Sequence, residues 1–359
     1  MKKLLIIIDD LYAGGAQRVV SRLANELVED HKVVILNFSK KKTYPLDNRI
    51  RLLFFKDPAY RPSKIPGKAG EFFTAARRFL SLRRQLISIM LKEHPDVVLS
   101  MLEYPNLLNA FSGTKGCRKV MSERNDPRGK GRLYYLKEVL SYRKADQVVF
   151  QSHTVMEMFP HAIRRKGVVV PNPVRVDCSA NGGSERIVTM GRLKPQKNHT
   201  LLLKAFALFA KDHPLHTLHI YGRSYDYDEV GYKQLIEQFC LSDKVFLEGY
   251  KENVHFLIAD AEQFVLSSDY EGTPNALLEA MMMGLPCIST EFESAKELFG
   301  NSDACCLTPI GNEKMLAESM ARLADDVAYR RALSVRGKRF AETFSVQNVI
   351  PQWHKVLFP

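Results

Sequence analysis

Short apolar runs alternate with segments of helical spacing from one end of the chain to the other. Leu4–Ile8, Val33–Phe38, Val97–Ser100, Lys119–Ser122 and Gln147–Phe150 read as buried strands. Between the first two, Ala16, Val19, Val20, Leu23, Ala24, Leu27 and Val28 recur at the spacing of one helix face. Strand–helix–strand units repeated in this way predict a parallel sheet covered by helices on both sides. The pattern pauses at Gly167-Val168-Val169-Val170-Pro171-Asn172-Pro173, crosses a small, polar stretch at 178–185, and restarts. Arg186–Met190, Leu218–Tyr221, Val245–Leu247, Gln263–Leu266 and Cys287–Thr290 form the second series. The 359 residues exceed one ordinary core and suit two domains. The expected fold class is therefore α/β, with two doubly wound, Rossmann-like parallel-sheet domains and a boundary near 171–185. Ligands of open parallel sheets sit at the carboxyl ends of the strands, which places the expected site in a central cleft that the two domains face.

Composition adds limits. Hydrophobic residues make up 45% and charged residues 26%, the range of globular chains. The opening Met1-Lys2-Lys3 resembles the start of a signal peptide, but its apolar run ends at Asp9-Asp10, short of a leader's hydrophobic region. No run approaches the ~20 apolar residues of a membrane span. The six cysteines contain no CxxC pair and no neighbouring histidine at zinc spacing, so reduced thiols in a cytoplasmic protein are expected. Cys305-Cys306 fit a late strand. The net charge of +12 is uneven: residues 1–176 carry 33 Lys and Arg against 16 Asp and Glu, and the remainder 19 against 24. A basic half of this kind attracts nucleic acid, an anionic membrane or an anionic substrate.

Candidate chemistry lies in the turns that leave strands. Tyr12-Ala13-Gly14-Gly15-Ala16-Gln17 opens the first helix. Its glycines admit a ligand to the backbone and the helix N-terminus favours an anion, although the run is not the GxGxxG of dinucleotide sites. Met190-Gly191-Arg192-Leu193-Lys194-Pro195-Gln196-Lys197-Asn198 opens the second domain, and Arg192 and Lys197 bracket a turn suited to two phosphates. The most informative run is Asp269-Tyr270-Glu271-Gly272-Thr273-Pro274-Asn275-Ala276-Leu277-Leu278-Glu279-Ala280. Here Thr273 is placed to cap a helix and Pro274 fits its first position. Glu271 then sits in the turn and Glu279 in the second helical turn. Two carboxylates so spaced can grip two polyols, a sugar and a ribose. The helix around Glu279 is otherwise apolar, so a carboxylate there needs a purpose.

Gly14-Gly15, Gly191-Arg192-Leu193 with Lys197, and the Glu-x7-Glu run from Glu271 to Glu279 together resemble the group-1 (family 4) retaining glycosyltransferases of the GT-B fold. The resemblance covers nearly the whole chain. It implies that Gly14 and Gly15 face the donor diphosphate and the acceptor. It also implies that Arg192 and Lys197 bind the diphosphate, that Glu271 with Gly272, Thr273, Pro274 and Asn275 holds the donor sugar, and that Glu279 binds the ribose. The loop from Gly249 to Val254 should pass near the base. Relatives often carry Ser-Glu-His where this chain has Ser122-Glu123-Arg124, and the third residue contacts the sugar; Arg cannot act as a base. The family implies that the final helix, which follows Phe344-Ser345, packs on the first domain. The expected domains are then 1–170 with 345–359, binding the acceptor, and 171–344, binding the donor.

The implied reaction is retaining transfer of a hexose or N-acetylhexosamine from a nucleotide sugar, UDP by family frequency, to a glycan or polyprenyl-diphosphate-linked acceptor in polysaccharide biosynthesis. Arg192 and Lys197 would stabilise the leaving diphosphate in same-face displacement. Asp226-Tyr227-Asp228 has the form of a metal-binding DxD but reads as a solvated loop, and neither metal nor other cofactor is expected. A basic segment from Lys64 to Lys92, containing Lys68, Arg77, Arg78, Arg83 and Arg84 among Phe72, Phe73, Phe79, Leu80 and Leu86, predicts an amphipathic helix on an anionic membrane, with the protein peripheral on the inner face. Two other readings compete. A GT-B hydrolase or epimerase needs a catalytic acid or base that no residue supplies. A nucleic-acid-binding protein needs stacking aromatics interleaved with its cations, and nucleic acid is not an expected partner.

Overall fold

The computed structural model describes residues 1–12, 14–56, 69–114, 116–129, 131–223 and 226–359, the side chains of 69–73, 129 and 226–228 excepted. The chain divides into two compact units, Met1–Pro173 with Gln347–Pro359, and Val174–Val346.

The first unit runs β1 (Lys3–Ile7), α1 (Gly15–Leu27), β2 (Lys32–Asn37), β3 (Arg51–Phe54), α2 (Ala69–Glu93), β4 (Val97–Met101), α3 (Glu103–Ala110), β5 (Arg118–Ser122), α4 (Arg132–Tyr142), β6 (Gln147–Phe150), α5 (His153–Glu157), α6 (His161–Arg164) and β7 (Gly167–Val169). All its strands pair in parallel, in the order β3-β2-β1-β4-β5-β6-β7. The five central strands, β2, β1, β4, β5 and β6, are buried on both faces, which explains their unbroken apolar runs. Leu4 and Ile6 point to one layer with Val33, Ile35, Val97 and Leu99. Leu5 and Ile7 point to the other with Val34, Leu36 and Val98. Helix α1 covers the first layer through Val19, Val20, Leu23, Ala24 and Leu27. Helix α2 covers the second through Leu82, Leu86 and Met90, four residues apart along one stripe.

The second unit runs β8 (Arg186–Met190), α7 (His199–Phe209), β9 (Thr217–Tyr221), α8 (Asp226–Gln238), β10 (Val245–Gly249), α9 (Val254–Leu257), β11 (Gln263–Leu266), α10 (Asn275–Met283), β12 (Cys287–Thr290), α11 (Glu293–Phe299), β13 (Cys306–Thr308), α12 (Glu313–Asp325) and α13 (Val327–Glu342). Its parallel sheet has the order β10-β9-β8-β11-β12-β13. The chain then enters α14 (Val346–Leu357), whose Val349, Trp353, Val356 and Leu357 join the α1 layer of the first unit's core.

Three edge strands, β3, β7 and β13, were not among the expected runs, although Cys306 does lie in the last of them. They are three or four residues long and largely half-exposed, so they carry little of the apolar signal of the central strands. All six cysteines are free thiols. Burial pushes Cys287 and Cys305 well above the usual thiol range, which suits inert core residues.

Candidate functional site

In both sheets the chain reverses its direction of travel at one point, between β1 and β4 and again between β8 and β11. The loops leaving β8 and β11 therefore flank the crevice where α/β sheets bind ligands.

Those two loops are laced together. Past β8, Gly191 lacks a side chain, and a Cβ there would come within 3.0 Å of Lys197 Cε and 3.1 Å of its Cδ. The lysine stem thus lies across the bare glycine. Gly222, at the end of β9, is equally constrained, since its Cβ would meet the Gly191 carbonyl oxygen at 1.8 Å. Asn198 takes the left-handed conformation (φ 44°), which asparagine tolerates, and its side chain accepts from the Leu201 amide to cap α7. The Asn198 amide group also donates to Asp269 Oδ1 at 2.7 Å. Ser267 Oγ donates to the Lys197 carbonyl at 2.9 Å, and Gln196 Nε2 to the Tyr270 carbonyl at 2.8 Å.

Lys197 and Glu271, expected at the phosphate and the sugar, form an ion pair with each other, with both side chains largely buried. Ser268 Oγ donates to the same carboxylate oxygen at 2.9 Å. Gln196 Nε2 reaches the other oxygen at 3.2 Å, and Ser294 Oγ holds the Glu271 carbonyl at 2.7 Å. Arg192 is exposed and pairs with no carboxylate among the described residues. The cationic pair is thus half engaged: Lys197 by an internal carboxylate, Arg192 open to solvent.

Helix α10 starts one residue later than expected, at Asn275, with Pro274 in the cap position. Thr273 does not cap it, and its buried hydroxyl has no partner. A helix N-terminus without a side-chain cap leaves its first amides to a ligand or to water. Glu279 is buried, 2% exposed, but it is not a lone carboxylate: His255 Nε2 lies 3.2 Å from its Oε2. Val254, expected near the base, is half-buried against the core of the second unit, and its neighbour His255 is the residue that reaches Glu279. Asp226-Tyr227-Asp228 opens α8 rather than lying in a loop, and its side chains lie outside the described residues.

One neighbour of this loop escaped notice in the sequence. His199 is buried at the start of α7, its ring close to the Arg192 backbone. Burial, with the Lys197 charge as a smaller cause, pulls it down to about 4, so the ring is neutral at physiological pH.

In the first unit, Gly14 is extended and precedes α1, with no side-chain cap. A Cβ at Gly14 would strike Gln17 Oε1 at 2.2 Å; Gln17 in turn donates to Asp10 Oδ1 at 3.2 Å. Tyr44 closes the turn from the other side, 3.3 Å from both the Gly14 amide and carbonyl. Gly15 is the first residue of α1, and Ala13 lies outside the described residues.

Arg124 leaves β5 beside a buried acidic cluster that the sequence did not disclose. Glu123 accepts from the Arg124 and Asn125 amides at 2.9 Å each, from Tyr134 at 2.7 Å and from Tyr142 at 3.1 Å. Glu138 lies nearby and accepts from Asn106 Nδ2 at 3.3 Å. Burial raises both carboxyls, and Glu138 is raised further by Glu123. Arg124 itself is 8% exposed, donates from Nη1 to Asn172 Oδ1 at 2.5 Å and stacks its guanidinium 5.0 Å from the Trp353 ring centre. Burial pulls it down to about 9.

The four arginines of the basic segment divide. Arg77 and Arg84 are exposed on α2. Arg78 lies half-buried over the Tyr104 ring, and Arg83 turns inward to donate from Nε to the Phe111 carbonyl. Of the four arginines expected at the membrane, two, Arg77 and Arg84, are exposed. Lys64 and Lys68 lie outside the described residues, as do the side chains of Phe72 and Phe73.

The comparisons with known proteins fit this arrangement. The family described as glycosyl transferases group 1 matches residues 175–340, and the one described as glycosyltransferase family 4 matches residues 13–177. The chain is 25% identical over 371 residues to the GalNAc-α-(1→4)-GalNAc-α-(1→3)-diNAcBac-PP-undecaprenol α-1,4-N-acetyl-D-galactosaminyltransferase of Campylobacter jejuni, covering 99% of this chain and 98% of that protein. It is 27% identical over 372 residues to the N-acetylgalactosamine-N,N'-diacetylbacillosaminyl-diphospho-undecaprenol 4-α-N-acetylgalactosaminyltransferase of the same organism, covering 96% of each. Among solved structures, Anabaena HepE in complex with UDP and glucose superposes with a TM-score of 0.82 at 16% identity, covering 99% of both chains. With the two family matches together spanning residues 13–340, two parallel Rossmann-like sheets, and the Glu-x7-Glu loop seated at a sheet reversal, the chain belongs to the group 1, family 4 glycosyltransferases of the GT-B fold.

Proposed function

We propose that this glycosyltransferase moves a hexose or N-acetylhexosamine from a UDP-sugar to a polyprenyl-diphosphate-linked glycan, with retention of configuration. The observation that carries the reading is the joined pair of loops at the β8–β11 reversal, where Lys197 pairs with Glu271, Arg192 of the same loop is exposed, and α10 starts without a side-chain cap. The diphosphate would take Lys197 from Glu271 and add Arg192. Glu271, held in place by Ser268 and Gln196, would then turn its oxygens to sugar hydroxyls. The amides of Gly272 to Asn275 would add N–H groups and the positive end of the helix dipole. Glu279 would hold the ribose, with His255 fixing its carboxylate.

As the bond from the anomeric carbon to the diphosphate breaks, negative charge grows on the leaving oxygen. Two fixed cations stabilise that charge more than they stabilise the ground state, which is what lowers a barrier. The acceptor hydroxyl attacks from the same face, and the leaving phosphate oxygen takes its proton. No protein base is then needed, consistent with Arg124 in place of a histidine.

The acceptor reading draws on the two Campylobacter relatives, whose names specify undecaprenyl-diphosphate-linked acceptors, and on the basic first unit. Helix α4 supports it further: Leu133, Leu136 and Leu140, spaced along one face, are 56%, 49% and 51% exposed. An outward leucine stripe between Arg132 and Arg143 suits a peripheral position on an anionic inner leaflet. No helix among the described residues is long and apolar enough to cross a membrane.

The test is a thermal-shift screen of nucleotide sugars followed by product analysis. A donor at 100 times its Kd adds about 2.7 kcal/mol. The expected outcome is selective stabilisation by UDP-sugars and transfer of an α-linked sugar to an isoprenyl-diphosphate glycan, undiminished by EDTA. A β-linked product sinks retention, and activity that chelation abolishes and a divalent ion restores promotes Asp226 and Asp228.

A further inference from the structure

The guanidinium of Arg124 is only partly used. Nη1 donates to Asn172, but Nε and Nη2 are buried with no hydrogen-bond partner. These two nitrogens share one edge of the group, the edge that grips an oxyanion through two parallel N–H···O bonds. Trp353 Nε1–H, on the ring against which Arg124 stacks, is also buried without a partner. The neighbourhood therefore holds three spare donors. Glu123 does not complete it, because two amides and two tyrosine hydroxyls already occupy its oxygens, and Arg124 forms no ion pair among the described residues. An unpaired buried charge is costly, and a group kept in that state calls for an explanation. Arg124 stands two residues past the end of β5, at the carboxyl edge of a parallel sheet, where ligands bind.

We propose that Arg124 binds an oxyanion of the substrates other than the donor's own diphosphate, a carboxylate or a phosphate, in the fork formed by Nε and Nη2. This rests on the transferase reading above only in taking the first unit's sheet edge as a substrate site. Both nitrogens are buried. The oxyanion reaches them as the guanidinium leaves the Trp353 ring, exchanging a cation–π stack for two charge-assisted bonds.

Trp353 is the chain's single tryptophan, so its emission reports on the stack. The experiment titrates the full-length protein with two matched pairs of probes. One is UDP-hexuronate against UDP-hexose; the other is a short isoprenyl diphosphate sugar against its neutral isoprenyl glycoside. The expected result is a change in Trp353 emission with the anionic member of one pair, and about 10- to 100-fold tighter binding than its neutral counterpart. Preference within the first pair assigns the oxyanion to a sugar carboxylate, and preference within the second to the acceptor phosphate. Arg124→Gln should abolish the preference and Arg124→Lys should retain part of it, since a point charge replaces the fork. If the wild type binds both members of each pair within twofold and its emission is unmoved, the proposal is overturned, whatever the fate of the variants. UDP alone reports on Arg192 and Lys197 in the other unit, so loss of donor binding is separable from loss of the oxyanion preference.

Discussion

Replacing Lys197 by Met tests whether its charge acts on the donor or only on Glu271. The substitution keeps the aliphatic stem that lies across Gly191 and removes the ammonium. Its stability cost is bounded by the surroundings: Glu271 loses its ion pair but keeps Ser268 and Gln196 as donors. That places the loss at about 1–3 kcal/mol, the range for a buried polar group left partly satisfied. A unit of this size should then melt a few degrees lower. The catalytic cost is larger. A unit charge about 4 Å from a developing phosphate charge, at the effective dielectric of ~20 that suits such sites, is worth about 4 kcal/mol. At 1.36 kcal/mol per decade this is on the order of 1,000-fold in rate, and solvent entering the vacated space should reduce it toward 100-fold. Steady-state transfer with saturating acceptor, paired with melting curves, gives both numbers. Glu271→Gln serves as the comparison, because it frees Lys197 from its internal partner while leaving the cation in place. If Lys197→Met retains kcat/KM within threefold of wild type, the lysine is a structural partner of Glu271 and the phosphate role is wrong.

Three further outcomes are expected. Glu279→Ala should weaken UDP-sugar binding by about 10-fold or more, the scale of hydrogen bonds to a charged group, while His255→Ala should weaken it less; calorimetric affinities equal to wild type for Glu279→Ala would remove the ribose role. His199, pulled by burial from 6.5 down to about 4, takes up its proton first in the unfolded chain, so its contribution is intact above pH 6.5 and is lost as pH falls toward 4, about 3 kcal/mol in all. Denaturant unfolding should therefore show wild type losing about 3 kcal/mol relative to His199→Phe between pH 7 and 4, and parallel curves refute the assignment. Arg77→Gln with Arg84→Gln should remove about 2 kcal/mol of attraction to anionic vesicles, weakening co-sedimentation at ~0.15 M salt, whereas Arg83→Gln should act on stability instead through its bond to Phe111; equal sedimentation of the double variant and wild type rejects the basic face as the membrane contact.

What could be read from the sequence divides along physical lines. A strand buried on both faces must be apolar throughout, so the central strands of both sheets, from Leu4 to Thr290, were legible as runs. The edge strands β3, β7 and β13 bury less and were not. The Glu271–Glu279 spacing was legible because a helix fixes what eight residues span, but the partners of those carboxylates were not. Gln196 and Ser268 reach Glu271 from a different loop and from three residues back, and His255 reaches Glu279 from 24 residues away. Nothing in local spacing encodes such meetings. The Thr273 cap failed for a related reason: Thr at a helix start is a local preference, and here the proline after it took the cap position while the hydroxyl turned into a buried space without a partner.

The basic segment shows the same limit on a larger scale. Periodicity assigns residues to faces of α2, but which face is outside depends on what the helix meets. Arg78 and Arg83 lie on the side that meets α3 and the Phe111 turn, where a guanidinium can cover an aromatic ring or tie down a carbonyl while its stem fills apolar space. Charge counted along the chain therefore overstated the outward field of this helix twofold among its four central arginines. At Arg124 the error runs the other way. A sequence shows only an arginine after Ser122-Glu123; burial, the Trp353 stack and two unpartnered nitrogens show that its guanidinium is enclosed and partly unused. A cation on a solvated face loses most of its field to water and salt, whereas one kept out of water and short of partners retains it for the ligand that completes the set. On the proposal above, Arg124 sets the preference for substrate charge, and the exposed arginines of α2 bear only on the proposed membrane contact.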